Sequence, residues 1–250
     1  GEQSLDNPAF VDFIMYGADG KLRPEFAGIF PDDYSALMVV RPNGNLSIDD
    51  DDVDPSAPMQ THFDGASLAG LLAFLSLAAG RTDPVKLQLT GPITLGLALV
   101  DAGVPVDRAF EVASAAVRAE GAALIEVVHR RLPEAPLVVF LDEPGLVASL
   151  PIDGETTVDV LSSALAVLED HAVTGVHCCG VTDWRLPSAA GATILSLPVD
   201  RDSVLTSAAA INVHLDRGGW IAWGAVPTNE PLGTDADRLW RRLSAVWCDL

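Results

Sequence analysis

Cysteine is scarce in this chain. It has 3 in 250 residues, two of them adjacent at Cys178 and Cys179 and one near the end at Cys248. Sequence neighbours do not make a useful disulfide framework, so an oxidised, disulfide-built scaffold is excluded and a reducing cytoplasm is expected. Long apolar runs are missing as well. Nothing reaches the roughly 18 consecutive apolar residues of a membrane span. The most apolar stretch, Ser67 to Gly80, has the length of a buried helix. The N-terminus has neither the basic region nor the apolar core of a secretion signal. Basic residues are few, 15 against 35 acidic, for a net charge of −20. That field repels nucleic acid and anionic lipid, so neither is an expected partner. Aromatic residues make up only 6% of the chain. Neither a G-x-G-x-x-G nor a G-x-x-x-x-G-K-[ST] motif occurs, which removes the usual support for a nucleotide-binding fold.

Small and apolar residues are plentiful. Hydrophobic residues reach 49%, enough to bury a sizeable core in one large domain. The first 66 residues read as an irregular segment with a β-hairpin extension, and residues 67–250 as a (β/α) barrel, one structural domain overall. The hairpin is expected over Ala36 to Ile48, turning at Asn43-Gly44. The acidic run Asp49 to Pro55 reads as a solvated loop, because it lacks the alternating ligands and closing Glu of a calcium loop.

From Leu68 a rhythm sets in. Short apolar runs begin at Val85, Pro136, Thr174, Ala192 and Trp220, and each ends in Gly or Pro. Near-continuous apolarity predicts burial on both faces, as in a parallel sheet. Helical stripes fill the gaps: Phe110, Ala113, Val117, Leu124 and Val128, then Leu161, Leu165 and Leu168, then Leu239, Leu243 and Val246. An α/β fold follows. Polar residues gather where the strands end: Thr90, Asp142 with Glu143, His177 with Cys178 and Cys179, and Thr228 with Asn229. That clustering favours a (β/α)8 TIM-type barrel, whose strand ends converge on one mouth. Five strands are legible, so some of the barrel is missing or unrecognised; that it is incomplete at both ends is what the family resemblance below implies.

Three strand ends carry candidate chemistry. Side chains alternate along a strand, so His177 and Cys179 share a face and Cys178 points away. An H-x-C pair can grip zinc through an imidazole nitrogen and a thiolate. The ordinary alternative is a satisfied core histidine beside buried sulfur. The carboxylates Asp142 and Glu143 suit a substrate ammonium group, or equally a loop cap. In Thr90 to Thr94, Gly91 lets the backbone approach a ligand, Pro92 suits a first helical turn, and the helix N-terminus favours an anion. The other histidines read as structural: His129 and His171 at helix ends, His214 on a polar helical stretch and His62 after the acidic loop.

The segments LTGPIT, FLDEP, GVHCCGVTDW and IAWGAVPT occur in this order at successive strand ends. Together they resemble the catalytic barrel of cobalamin-independent methionine synthases, and especially its short core relatives. The superfamily also holds uroporphyrinogen decarboxylases and corrinoid-dependent methyltransferases. The likeness covers Val85 to Leu250. It implies a cytoplasmic, zinc-dependent transferase of methionine biosynthesis that moves a methyl group to a thiol, most simply homocysteine. His177 and Cys179 would be zinc ligands, and Asp142, with Glu143 beside it, would hold the substrate amino group. Gly91, Pro92 and Thr94 would line the pocket, with Cys178 and Ser196 as further metal or pocket residues. The donor would be a methyl-folate or a methyl-corrinoid on a carrier protein.

The chain departs from that pattern. Ser196 stands about where the long synthases carry a zinc-binding Glu, with Asp200 and Asp202 the nearest carboxylates. The late P-x-C-G-L cysteine, the histidine of the WIAWGAVPT strand and the opening G-S-x-P-like strand have no counterparts, and Cys248 falls on a helix opposite its apolar stripe. A zinc with two protein ligands would bind weakly. The resemblance therefore leaves two alternatives: a corrinoid-linked methyltransferase with another acceptor, and a non-catalytic barrel that binds a small molecule. A decarboxylase is disfavoured, since no arginine-rich N-terminal motif is present to hold propionate groups.

Overall fold

A computed structural model of the chain describes residues 38–40, 46–48, 69–226 and 235–250. Strands β1 (Met38–Val40) and β2 (Leu46–Ile48) pair antiparallel, with Met38 opposite Ile48. The expected hairpin is therefore present, while its Asn43-Gly44 turn, the acidic run 49–55 and His62 lie outside the described residues.

Five further strands form one parallel sheet in chain order: β3 (Val85–Thr90), β4 (Leu137–Asp142), β5 (Val173–His177), β6 (Ile194–Pro198) and β7 (Trp220–Gly224). Helices α2 (Pro92–Asp101) and α3 (Val106–Arg131) join β3 to β4, and α4 (Gly154–Glu169) joins β4 to β5. Helix α5 (Arg185–Ala189) precedes β6. Helices α6 (Arg201–Thr206) and α7 (Ala208–Asp216) precede β7, and α8 (Ala236–Asp249) follows it. The strand order never reverses. Right-handed crossovers in a monotone order put every helix on the same side of the sheet. That winding is compatible with part of an α/β barrel; a doubly wound sheet would reverse and place helices on both faces.

The core confirms this sidedness. Leu137, Val139 and Leu141 of β4 join Val176 of β5 and Leu195 and Leu197 of β6 in one buried cluster with the helices. All the predicted stripe residues of α3 and α4 are buried in it: Phe110, Ala113, Val117, Leu124, Val128, Leu161, Leu165 and Leu168. Truncating any of these leucines to alanine would cost about 2–5 kcal/mol. Phe140 and Ile194 are also buried, yet they stand outside that cluster because the strand period turns them to the opposite face.

Helix starts follow their capping residues. Asp153 Oδ1 accepts from the Thr156 N–H at 2.8 Å and opens α4, and Asp200 Oδ1 accepts from the Ser203 N–H at 2.9 Å and opens α6. Helix α2 begins at Pro92, as the Gly-Pro pair predicts.

Two expectations need correction. The apolar run Ser67 to Gly80 does contain a helix, α1 (Ala69–Leu77), but not a buried one. Leu77 is 89% exposed and Phe74 41%, while Leu75 and Ala78 are buried. A helix apolar on every side shows no preferred docking face in its sequence, and here it packs against α3 while leaving Leu77 and Phe74 exposed. Helix α8 buries Val246 alone from its apolar stripe; Leu239 and Leu243 stay half-buried. Among the described residues no helix is long and apolar enough to cross a membrane.

Candidate functional site

Alternation and register together build one row across the sheet. Thr90 pairs with Asp142, Asp142 with His177, His177 with Ser196, and Ser196 with Ala222. Register partners in a parallel sheet point to the same side, and neighbouring strands lie about 4.8 Å apart. Thr90, Asp142 and His177 are each the last residue of their strand, so the row marks the C-terminal edge of the sheet. It lies on the face away from the helices. This is where ligands bind in parallel α/β folds.

Asp142 and His177 are half-buried. Burial raises the Asp142 carboxyl above its ordinary value, and the charges of His177 and then Lys86 draw it back. His177 Nδ1 lies 3.0 Å from the Ser196 hydroxyl oxygen. That contact leaves Nε2 as the ring nitrogen open to a ligand. Asp142, His177 and Ser196 thus come together as their strand positions predict.

The cysteines part company. Cys178 is fully buried, its Sγ 3.9 Å from the Gly180 carbonyl oxygen, and burial pushes its thiol up to about 12. It is a neutral packing residue behind the strand. Cys179 is exposed, and Cys248 is exposed on α8.

Glu143, Gly91 and Thr94 are also brought together, but with one another. The Glu143 side chain is fully buried. Its Oε1 accepts from the Ile93 N–H at 2.9 Å, and its Oε2 accepts from the Thr94 N–H at 2.7 Å and the Thr94 hydroxyl at 2.6 Å. The acceptor for the N–H groups at the N-terminus of α2 is therefore supplied by the protein itself. A Cβ at Gly91 would collide with the Glu143 carboxyl, which is why glycine precedes the proline. The Thr94 hydroxyl also accepts from the Gly145 N–H at 3.1 Å, locking the turn after β4 onto α2. A fully buried Glu143 has no surface to offer a substrate, whereas Asp142, one residue earlier, does.

The remaining candidates have local duties. Asp200 caps α6, and Asp202 sits exposed in that helix's first turn. His214 is buried, with Nε2 3.2 Å from the Trp220 carbonyl oxygen. His129 and His171 stack edge to face at helix ends, their centroids 5.5 Å apart.

For zinc, His177 and Cys179 are donors of the right kind, but stable sites use three or four. Among the described residues no three of His, Cys, Asp and Glu gather as metal ligands. These side chains alone do not fit a resident zinc ion. A cleft of about 1130 Å3 lies elsewhere, bordered by residues such as Leu146, Leu150, Ile152, Val181 and Leu186, and no sequence-predicted site residue lines it. Its wall is mainly apolar and its one charged pair, Asp183 with Arg185, is satisfied internally at 2.5 Å. The polar row on the sheet, not this cleft, gathers groups able to move protons or hold charges.

Three residues on the same face were not singled out from sequence. Lys86 and Gln88 share the exposed side of β3 with Thr90, and Phe140 lies between them and β5. Strand alternation in Val85 to Thr90 was the available signal. No protein-family model, curated protein or solved structure matches this chain.

Proposed function

We propose that this chain is a cytoplasmic thiol methyltransferase, its five-stranded sheet forming part of a (β/α)8 barrel, with homocysteine as the acceptor that becomes methionine. The observation that carries this reading is the register of Asp142 with His177 on adjacent strand ends, with Ser196 completing the row. Asp142 accepts hydrogen bonds from the substrate ammonium group. The Ser196 hydroxyl holds the His177 ring, and Nε2 takes the proton from the substrate thiol. The resulting thiolate attacks the donor's methyl carbon: a sulfur–carbon bond forms, the donor's bond to that carbon breaks, and its electron pair leaves with the donor. The donor is a methyl-folate or a methyl-corrinoid on a carrier protein. Zinc belongs to this reading only with further ligands from outside the described residues, which His177 and Cys179 would join.

The test is methionine formation from homocysteine, followed by mass spectrometry, with methyl-folate and with methylcobalamin as donors. Activity with one donor, lost in His177→Ala and Asp142→Asn, is expected. Zinc content by plasma mass spectrometry decides the metal's part: an ion that is lost in His177→Ala and Cys179→Ser would add zinc in place of the His177 base, and a chain without zinc leaves His177 as the base. No methionine with either donor would sink the proposal. A second reading, a barrel that binds a small molecule without turning it over, is favoured by the shortage of metal ligands among the described residues. Binding without turnover would decide for it.

A further inference from the structure

The chain has only two lysines, Lys21 and Lys86, and Lys86 lies on the same sheet face as the Asp142–His177–Ser196 row. Its backbone sits four register pairs below the row, opposite Val138. Its side chain does not reach for a carboxylate. The Lys86 Nζ stands 4.9 Å from the centroid of the Phe140 ring and donates to Gln88 Oε1 at 2.5 Å. Phe140 pairs with Gln88, two register pairs nearer the strand ends, so this posture carries the ammonium group toward Asp142. A cation over an aromatic face gains about 0.5–1 kcal/mol at an exposed site, enough to favour that posture.

The ring under the lysine is fixed. Phe140 is buried and packs against Gly175 of β5, where a Cβ would come within 2.5 Å of the ring. Among the described residues no carboxylate forms an ion pair with Lys86. Asp142 likewise has no ion-pair partner there. One face thus presents a cation and an anion close enough for the Lys86 charge to be felt at Asp142, yet not joined in an ion pair.

We propose that Lys86 and Asp142 are the two poles of a binding site for a zwitterionic α-amino acid, Lys86 receiving the carboxylate and Asp142 the ammonium group. A ligand carrying both charges would bridge the two poles; one carrying a single charge would leave the other pole unpaired. This rests on the row being the substrate site, and it names Lys86 as the residue that selects an amino acid over the corresponding amine.

The experiment is calorimetric binding of three thioethers to the full chain: L-methionine, 3-(methylthio)propylamine, which lacks the carboxylate, and 4-(methylthio)butanoate, which lacks the amine. The wild-type chain is expected to bind methionine at least about tenfold more tightly than either analogue, equivalent to about 1.4 kcal/mol. Lys86→Met should erase the preference over the amine and leave amine binding unchanged. Lys86→Arg should restore it, and Asp142→Asn should erase the preference over the acid. Lys86 is exposed, so an unchanged melting curve is expected for its variants. Equal binding of methionine and the amine by the wild-type chain, unaltered methionine binding in Lys86→Met, or no methionine binding at all would overturn the proposal. Methyl transfer is scored separately. Charge-selective binding without turnover supports the two poles and removes the methyltransferase; turnover without charge selection does the reverse.

Discussion

Glu143 and Thr94 meet twice, through the backbone N–H of Thr94 at 2.7 Å and through its hydroxyl at 2.6 Å, both donated to the same carboxylate oxygen. This pair ties the end of β4 to the start of α2. Removing the carboxylate leaves two buried N–H groups and a hydroxyl without an acceptor. Each buried orphan costs about 1–3 kcal/mol. Glu143→Ala is therefore expected to lose at least about 3 kcal/mol in urea unfolding, and Glu143→Gln less, because one amide oxygen remains. An Ala variant as stable as the wild type would refute the capping role.

Gly91→Ala should damage the same joint from the other side. Its methyl group would occupy the space of the Glu143 carboxyl, which is walled in and cannot swing away. A loss of about 2–4 kcal/mol is expected, comparable with overpacking a tight core site. The double variant Gly91→Ala with Glu143→Ala should lose less than the sum of the two, since the clash disappears with the carboxyl. Strict additivity in a double-mutant cycle would count against the contact.

Stability should fall as the solution becomes alkaline. Burial raises Glu143 from 4.5 to about 7, against the pull of its hydrogen bonds to Thr94 and Ile93, and raises Glu120 of α3 from 4.5 to about 8. One Glu120 carboxyl oxygen is buried with no partner. A carboxyl whose folded value is raised binds its proton more tightly folded than unfolded. Its stabilising contribution is complete below about 4.5 and lost as the pH climbs through 7 and then 8. The melting temperature is expected to drop by at least about 5 °C between about pH 5 and about pH 8. Glu120→Gln should flatten the upper part of that slope and raise the melting temperature at the alkaline end. A flat profile, or one rising with pH, would refute this.

Much of the sheet was legible before the structure. Five apolar runs became five parallel strands, and the stripes of α3 and α4 were buried as their period required, because burial on both faces leaves a strong pattern. Period-two alternation turned Cys178 behind the strand, where it is fully buried, whereas the pairing of His177 with Asp142 is set by the register between strands, which alternation does not carry. The division of labour between Asp142 and Glu143 was not legible. Alternation says that one of them turns inward, but the acceptor of the α2 N–H groups is 50 residues away in sequence from Ile93, and only the packed structure brings it there. The exposure of α1 was hidden for a related reason: an apolar helix with no polar face has nothing in its sequence to say which side is left uncovered.

Gly175→Ala should expel the Phe140 ring from its seat, since the new methyl group would stand 2.5 Å from Cε1. The ring would tilt toward Lys86 and remove the surface on which the ammonium group rests. A destabilisation of about 1–3 kcal/mol is expected from overpacking. Phe140→Leu in the same background should recover part of it by freeing the space. If Gly175→Ala is silent in both stability and amino-acid binding, Phe140 does not support Lys86.

Ser196 offers the cleanest separation of chemistry from folding. Its hydroxyl lies 3.0 Å from His177 Nδ1, and the side chain is only half-buried. Losing one such hydrogen bond in Ser196→Ala costs about 1 kcal/mol of stability, which leaves the chain folded. The His177 ring, however, loses the contact that fixes its orientation and the identity of its free nitrogen. Turnover should drop about tenfold or more with little change in KM, because the substrate's charges are held by other residues. Ser196→Thr keeps the hydroxyl, and its branched carbon suits a strand, so it should restore most of the rate. A loss in Ser196→Ala that Ser196→Thr does not recover would assign Ser196 to packing and not to positioning His177.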